Sequence, residues 1–203
     1  MIQFLDLKKQ YRDIKKEIDE AIKSVIKETA FIGGKYVDQF EKEFAAYQEV
    51  KYCIGVGNGT DALEIAIEAL NLPNGSEIIV PANSFIASSE AVTRSGCKVV
   101  FCDCDENNYT ISISSLKSKI TLNTKAVIAV HLYGHPCDMD EILSIAKEND
   151  LKIIEDCAQS HGAEYKDRRV GAIGDIGTFS FYPGKNLGAY GDGGAIVTND
   201  ENL

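Results

Sequence analysis

"YCIGVGNGTDALEIAIEALNLPNGSEIIVPANSFIASSEAV", residues 52–92, decides how this chain folds. "YCIGV" (52–56) is a short apolar run that a glycine-rich turn stops, and "TDALEIAIEAL" (60–70) reads as a helix. "EIIVPA" (77–82) is a second strand, and "SFIASSEAVTRSG" (84–96) a second helix. Short apolar strands alternating with helices predict a mainly parallel sheet covered on both faces.

The same rhythm runs on. "KVVFCDCD" (98–105), "AVIAVHLY" (126–133) and "KIIEDCA" (152–158) read as strands, with helices at "ISSLKSKI" (113–120) and "DMDEILSIAKEND" (138–150). A loop follows, then strands at "TFSFY" (178–182) and "AIVTND" (195–200). Upstream, Tyr11, Ile14, Ile18, Ile22 and Ile26 recur at helical spacing over residues 7–29, and "VDQFEKEFAAYQEV" (37–50) is a second short helix. The last residues, "AIVTNDENL", stop just after a strand with no closing helix. That strand is expected to leave an open sheet edge, and the chain to be a fragment of something longer.

In an open parallel sheet the functional groups gather at the carboxyl ends of the strands. The unusual residues fall there: Gly57–Thr60, Asn83–Phe85, His131–Gly134, Glu155–Gln159 and Lys185. Composition excludes other classes. With 203 residues and 44% hydrophobic content the chain can bury a sizeable core. A formal net charge of -10 argues against nucleic acid or an anionic membrane as partner. No apolar run approaches the ~20 residues of a membrane span, and "MIQFLDLKKQ" has no secretory apolar core. The six cysteines are therefore expected to be reduced thiols in a cytoplasmic protein, most of them buried. No metal is expected. Cys102 and Cys104 lack a zinc spacing, and Gly134 and Pro136 keep His131 and His135 off one helical face. His131, at a strand end, is expected to touch a substrate.

"GVGNGTDAL" is a glycine turn leading into a helix whose first N–H groups suit a small phosphate. The competing reading is an ordinary cap by Asn58 or Thr60. A dinucleotide site fits less well, because the spacing is not G-x-G-x-x-G and the next strand carries no ribose-binding acid. Asp156 ends an apolar strand, either as a cap or ion pair or as the partner of a cationic heterocycle. Phe85 is a core aromatic or a platform for a flat ring. Ser180 offers a second phosphate donor. Lys185 lies between Gly184 and Gly188, glycines expected to let the backbone hug a ligand. Together these groups fit one economical use: a Schiff base between Lys185 and pyridoxal phosphate, with Asp156 on the pyridinium nitrogen.

"FLDLKKQY", "GNGTDAL", "PANSFIAS", "VHLYGHPCDMDEI", "EDCAQSHGA" and "GDIGTFSFYPGKNLGAYGDGGAIVTND" resemble the DegT/StrS-type sugar aminotransferases from end to end of the chain. The resemblance implies a fold-type-I, three-layer α/β large domain over residues 31–203. Residues 1–30 then form a helix that packs with a small C-terminal domain absent from this sequence. It implies Lys185 as catalytic and Schiff-base lysine, Asp156 on the pyridine nitrogen, Gln159 on the ring oxygen, Phe85 stacked on the ring, and Gly59, Thr60 and Ser180 on the phosphate. Sister sugar dehydratases carry histidine at the lysine position, so Lys185 favours transamination. The implied partners are an amino-acid donor (by resemblance glutamate), a nucleotide-linked keto sugar and a second copy of the chain. "HLYGHPCDMD" is closer to members acting on dTDP-linked 3-keto-6-deoxy sugars. Amination at C-4 of the sugar, a non-catalytic or regulatory relative, and a nucleotide-dependent oxidoreductase are the alternatives.

Overall fold

Side-chain caps set the starts of four of the six α-helices among the described residues. Asp6 accepts the Lys9 N–H, Asn58 accepts those of Thr60 and Asp61, Ser112 that of Ser115, and Asp138 that of Glu141. The computed structural model describes residue 2 and residues 4–203. Met1 and Gln3, within the start read above as lacking a signal, lie outside the described residues. Chain order is α1 (Leu7–Glu28), α2 (Lys35–Gln48), β1 (Tyr52–Val56), α3 (Gly59–Ala69), β2 (Glu77–Pro81), α4 (Ile86–Arg94), β3 (Lys98–Cys102), α5 (Ile113–Lys119), β4 (Thr124–Val130), α6 (Met139–Asn149), β5 (Lys152–Asp156), β6 (Glu164–Tyr165), β7 (Arg168–Arg169), β8 (Ile176–Ser180) and β9 (Gly194–Thr198).

Seven strands form one sheet in the order β1-β9-β8-β5-β4-β2-β3. The pairs β2·β3, β2·β4, β4·β5 and β5·β8 are parallel, and β9 runs antiparallel to both β1 and β8. Since β9 alone is reversed, β1, β2, β4, β5 and β8 all end on one rim. The expectation of an open edge at the last strand is wrong. β9 is paired on both sides, in register from Tyr52↔Thr198 to Val56↔Gly194 and from Gly177↔Val197 to Ser180↔Gly194. The edges are β1 and β3.

Period-two alternation divides the core. Ile78, Val80, Ala126, Ile128, Val130, Ile154, Ile176 and Ile196 face α3 and α4. Their alternates Ile79, Val127, Ala129, Ile153, Phe179, Ala195 and Val197 face Phe44 of α2, Leu116 of α5 and Ile142 and Ile145 of α6. These two apolar clusters make the three layers. Burying a Leu, Ile or Phe contributes roughly 1.5–3 kcal/mol, so both faces must be covered for the sheet to persist.

Smaller differences from expectation have local causes. β3 stops at Cys102, and Cys104 forms an isolated bridge to Ile111. β4 stops at Val130, where Leu132–Gly134 turns as a 3-10 helix and Tyr133 takes a left-handed φ of 57°. The loop after β5 contains the β6–β7 hairpin, its turn made by left-handed Lys166 and Asp167. All six cysteines are unpaired; Cys102, Cys137 and Cys157 are buried, and Cys53, Cys97 and Cys104 half-buried. Among the described residues no helix is long and apolar enough to cross a membrane.

Candidate active site

Strand parity decides which rim residues meet. Val130, Asp156 and Ser180 end β4, β5 and β8 on the α3/α4 face, in phase with Ile128, Ile154 and Ile176. A cavity of ≈ 460 Å³ opens there. Gly59, Thr60, Phe85, Asp156, Gln159, Ser180 and Lys185 all line it, joined by Asn58, Leu63, Ala87, Val130, Ala158, Tyr182 and Asp192. The seven residues that the resemblance assigns to the site thus border one space, of a size suited to a small-molecule ligand.

The floor is a contact between α3 and β8. A Cβ on Gly59 would lie 2.5 Å from Ser180 Cβ and 3.0 Å from its Oγ, so only glycine lets the helix start reach the strand end. Asn58 caps α3 as the structural reading requires, its Oδ1 2.9 Å from both the Thr60 and Asp61 nitrogens. The cup is therefore narrower than a bare helix start. It keeps the Gly59 N–H, the Thr60 hydroxyl and the Ser180 hydroxyl, together with the positive end of the helix dipole.

Asp156 is 6% exposed. Its Oδ2 accepts the Ser88 hydroxyl at 2.9 Å and its Oδ1 the Ala158 N–H at 3.1 Å. Among the described residues it has no cationic partner, so a buried charge is left half-compensated beside the cavity. Phe85, at the N-cap of α4, is 67% exposed, which removes the core-aromatic reading and leaves a ring on the cavity wall. Gln159 Oε1 accepts the Tyr133 N–H at 2.9 Å, so its amide NH2 remains as a donor. Lys185 is held by a turn in which its N–H donates to the Tyr182 carbonyl at 2.8 Å. Among the described residues it makes no ion pair, unlike Lys98, Lys152 and Lys166.

Two expectations need correction. Neither Gly184 nor Gly188 lines the cavity, and Gly188 is required by the chain itself. A Cβ on Gly188 would strike the Pro183 carbonyl, whereas one on Gly184 would make only an ordinary 3.5 Å contact with Leu5. Gly188 lets the 182–189 turn close on itself. His131 does not touch the cavity either. It continues β4 in phase with Ala129 and points to the opposite face, fully buried. There its Nδ1 accepts the Cys137 N–H at 3.1 Å, which leaves the ring proton on Nε2, 2.9 Å from Glu155 Oε2.

His131, Glu155 and Cys157 bring possible metal-ligating atoms within 4.8 Å of one another. However, the Glu155 oxygens already accept the His131 proton and the N–H groups of Gly171, Ile173 and Gly174 at 2.6–2.9 Å. Burial pushes the Glu155 carboxyl up, but the His131 bond and the Gly171 and Gly174 N–H groups outweigh it and hold it below the ordinary value. Burial pushes the Cys157 thiol up to about 12. The cluster is a saturated strut under the site. Residues that sequence reasoning missed are Ser88 and Tyr182. Ser88 lies one helical turn after Phe85, and Tyr182 is in phase with Ser180, so spacing held a signal for both.

Comparison with known proteins places this geometry. Residues 12–203 match the DegT/DnrJ/EryC1/StrS aminotransferase family. The chain belongs to that family. It is 52% identical over 203 residues to a dTDP-3-amino-3,6-dideoxy-alpha-D-galactopyranose transaminase of Aneurinibacillus thermoaerophilus, covering 100% of this chain and 56% of the relative. Its fold superposes with TM-score 0.96 and 44% identity on Streptomyces venezuelae DesV, solved in complex with a ketimine intermediate, over 99% of this chain and 54% of the other. An Escherichia coli GDP-4-keto-6-deoxy-D-mannose-3-dehydratase with bound hydrated PLP matches with TM-score 0.85 and 38% identity, over 90% of this chain and 48% of the other. The chain thus spans about half the length of the relatives it matches.

Proposed function

We propose that the cavity binds pyridoxal phosphate and that the protein is an aminotransferase moving an amino group from an amino acid, by resemblance glutamate, to a nucleotide-linked keto sugar. The observation that carries this reading is the buried carboxylate of Asp156, without a cationic partner among the described residues, in the same cavity as Lys185 and the Gly59–Ser180 cup. The residues fit the cofactor: a cup for a phosphate, a carboxylate for a protonated ring nitrogen, an exposed aromatic wall and an unpaired lysine. When bound, the cofactor supplies a carbonyl for Lys185 to attach and an electron sink for the donor's α-carbon.

The chain's own groups have separable tasks. Gly59, Thr60 and Ser180 bind the phosphate. Asp156 holds the proton on the ring nitrogen. Gln159, its carbonyl fixed by Tyr133, donates to the ring oxygen. Phe85 covers one face of the ring and excludes water. Lys185 Nζ would anchor the cofactor and, once displaced from it by the donor's amine, would act as general base for the proton on the donor's α-carbon. The lysine supports transamination over the dehydration carried out by sister enzymes.

The substrate proposed is a dTDP-linked 3-keto-6-deoxyhexose, supported by "HLYGHPCDMD" and by the A. thermoaerophilus relative. Homodimerisation is proposed with it, supported by the apolar surface around Val37, Phe40 and the half-exposed Leu187. Helix α1 has no buried residue and leaves Ile22 and Ile26 exposed, which supports its packing against the family's small domain. Cytoplasmic residence is proposed as well, supported by the six unpaired cysteines.

The test supplies the full gene product with pyridoxal phosphate, glutamate and either the 3-keto or the 4-keto dTDP sugar, and measures 2-oxoglutarate. Turnover with the 3-keto sugar is expected. Turnover with the 4-keto sugar alone moves the reaction to C-4, and turnover with neither contradicts the substrate reading and favours a non-catalytic relative.

A further inference from the structure

Adjacent residues on β5 are treated differently. Glu155, on one face, has four hydrogen-bond donors on its two oxygens. Asp156, on the other face, has two. A carboxylate offers about four acceptor sites, so Asp156 keeps unfilled acceptor capacity at the cavity. What fixes the direction of that capacity is the pair of bonds it does make. One comes from Ala158, two residues on, and turns with the chain. The other comes from Ser88, 68 residues away in sequence, on the first turn of α4.

Ser88 is 1% exposed. A helical serine commonly bonds back to the carbonyl of the preceding turn; this one donates across the layer to Asp156. Helix α4 is locked on the sheet by the fully buried Ala91 and Val92, which pack with Ile78 and Val80 of β2. The hydroxyl is thus delivered from a rigid element, and it anchors the carboxylate oxygen that no local bond restrains. A hydroxyl donor also leaves the carboxylate charge unneutralised, which a lysine or arginine would not.

We propose that Ser88 is a positioning residue for Asp156, fixing its carboxylate in the orientation that receives the protonated ring nitrogen of pyridoxal phosphate. This rests on the cofactor reading above. With both oxygens anchored, the carboxylate plane is set before the ligand arrives; without Ser88 it turns about its own side-chain bonds and must be ordered at each binding event.

The experiment titrates pyridoxal phosphate into the full gene product and its Ser88→Ala, Ser88→Thr, Asp156→Asn and doubly substituted forms, reading the dissociation constant from the visible absorbance. A lost bond to a charged group corresponds to a roughly tenfold weaker affinity for Ser88→Ala. Ser88→Thr, which keeps the hydroxyl, is expected within about twofold of the parent. In the Asp156→Asn background Ser88→Ala is expected to add no further loss, because its effect passes through that carboxylate. Parental affinity for Ser88→Ala overturns the proposal, as does a loss of equal size in the Asp156→Asn background, which marks a purely structural role. A parent protein that binds no pyridoxal phosphate overturns the cofactor reading itself, and the proposal with it.

Discussion

Replacing Gly59 by alanine tests the contact on which the proposed phosphate cup depends. The added Cβ falls 2.5 Å from Ser180 Cβ, 3.0 Å from its Oγ and 3.2 Å from its Cα. Carbon atoms settle at roughly 3.5–4.0 Å, so α3 and β8 must part by about 1 Å. Neither side yields easily. Ser180 is paired with Gly194 of β9, and the Asn58 carbonyl packs against that same Gly194. Overpacking of this kind costs roughly 1–3 kcal/mol, a fall of about 2–12 °C in Tm for a chain near this size. The effect on the ligand is larger. Moving the Gly59 N–H about 1 Å from Ser180 takes donors out of the 2.7–3.2 Å range that a shared phosphate needs. Losing one or two charge-assisted bonds of ~1.5–3 kcal/mol each weakens pyridoxal phosphate binding by at least about tenfold and by up to about 10,000-fold. Apo-protein melting and cofactor titration measure the two effects separately. Gly59→Ala combined with Ser180→Gly removes the two side-chain clashes, leaves the 3.2 Å contact with the residue 180 Cα, and is expected to recover part of the Tm loss but not affinity. A Gly59→Ala protein that melts and binds like the parent refutes the cup as described.

Glu155→Gln places an amide NH2 against N–H donors and is expected to cost roughly 3–5 kcal/mol at pH 7 by denaturant unfolding. Because folding lowers the Glu155 pKa, its stabilisation is complete above the unfolded value of ~4.3 and is lost as pH falls through the folded value. The parent is expected to lose stability across that acid window and the variant to show a flatter profile; parallel profiles contradict the strut. Burial pushes the Cys102 and Cys157 thiols up to about 12, so alkylation of the native protein at pH 8 is expected to reach the half-buried cysteines before either of them. Equal labelling of Cys157 would show that the layer beneath the site is open.

The layers were legible in the sequence because strands such as "YCIGV" and "EIIVP" are short apolar runs between turn residues, a signal local to a few positions. The place of β9 was not, since insertion between β1 and β8 is a pairing over more than a hundred residues that no periodicity records. Lys185 stood out between glycines just after a strand, Ser180 as a hydroxyl on that strand, and Asp156 because a charge ends an apolar run. His131 stood out for the same reason and was misplaced: whether a rim residue faces the cavity depends on its phase with Ala129, and that phase had to be carried past the strand end. Ser88 was passed over despite its spacing from Phe85, because a serine on a helix face is ordinary until the Asp156 carboxylate is seen 2.9 Å away. The glycines at 59 and 188 show the limit from the other side. Both are required by approaching backbone or side-chain atoms of the chain itself, and only coordinates distinguish that from room for a ligand.

The most direct measurement is borohydride reduction of the full gene product after incubation with pyridoxal phosphate, followed by peptide mapping. The account predicts one label per chain, on Lys185 in the "FYPGKNLG" segment, and its loss in a folded Lys185→Ala variant. Label scattered over surface lysines such as Lys98 and Lys166, and unchanged in Lys185→Ala, would contradict it.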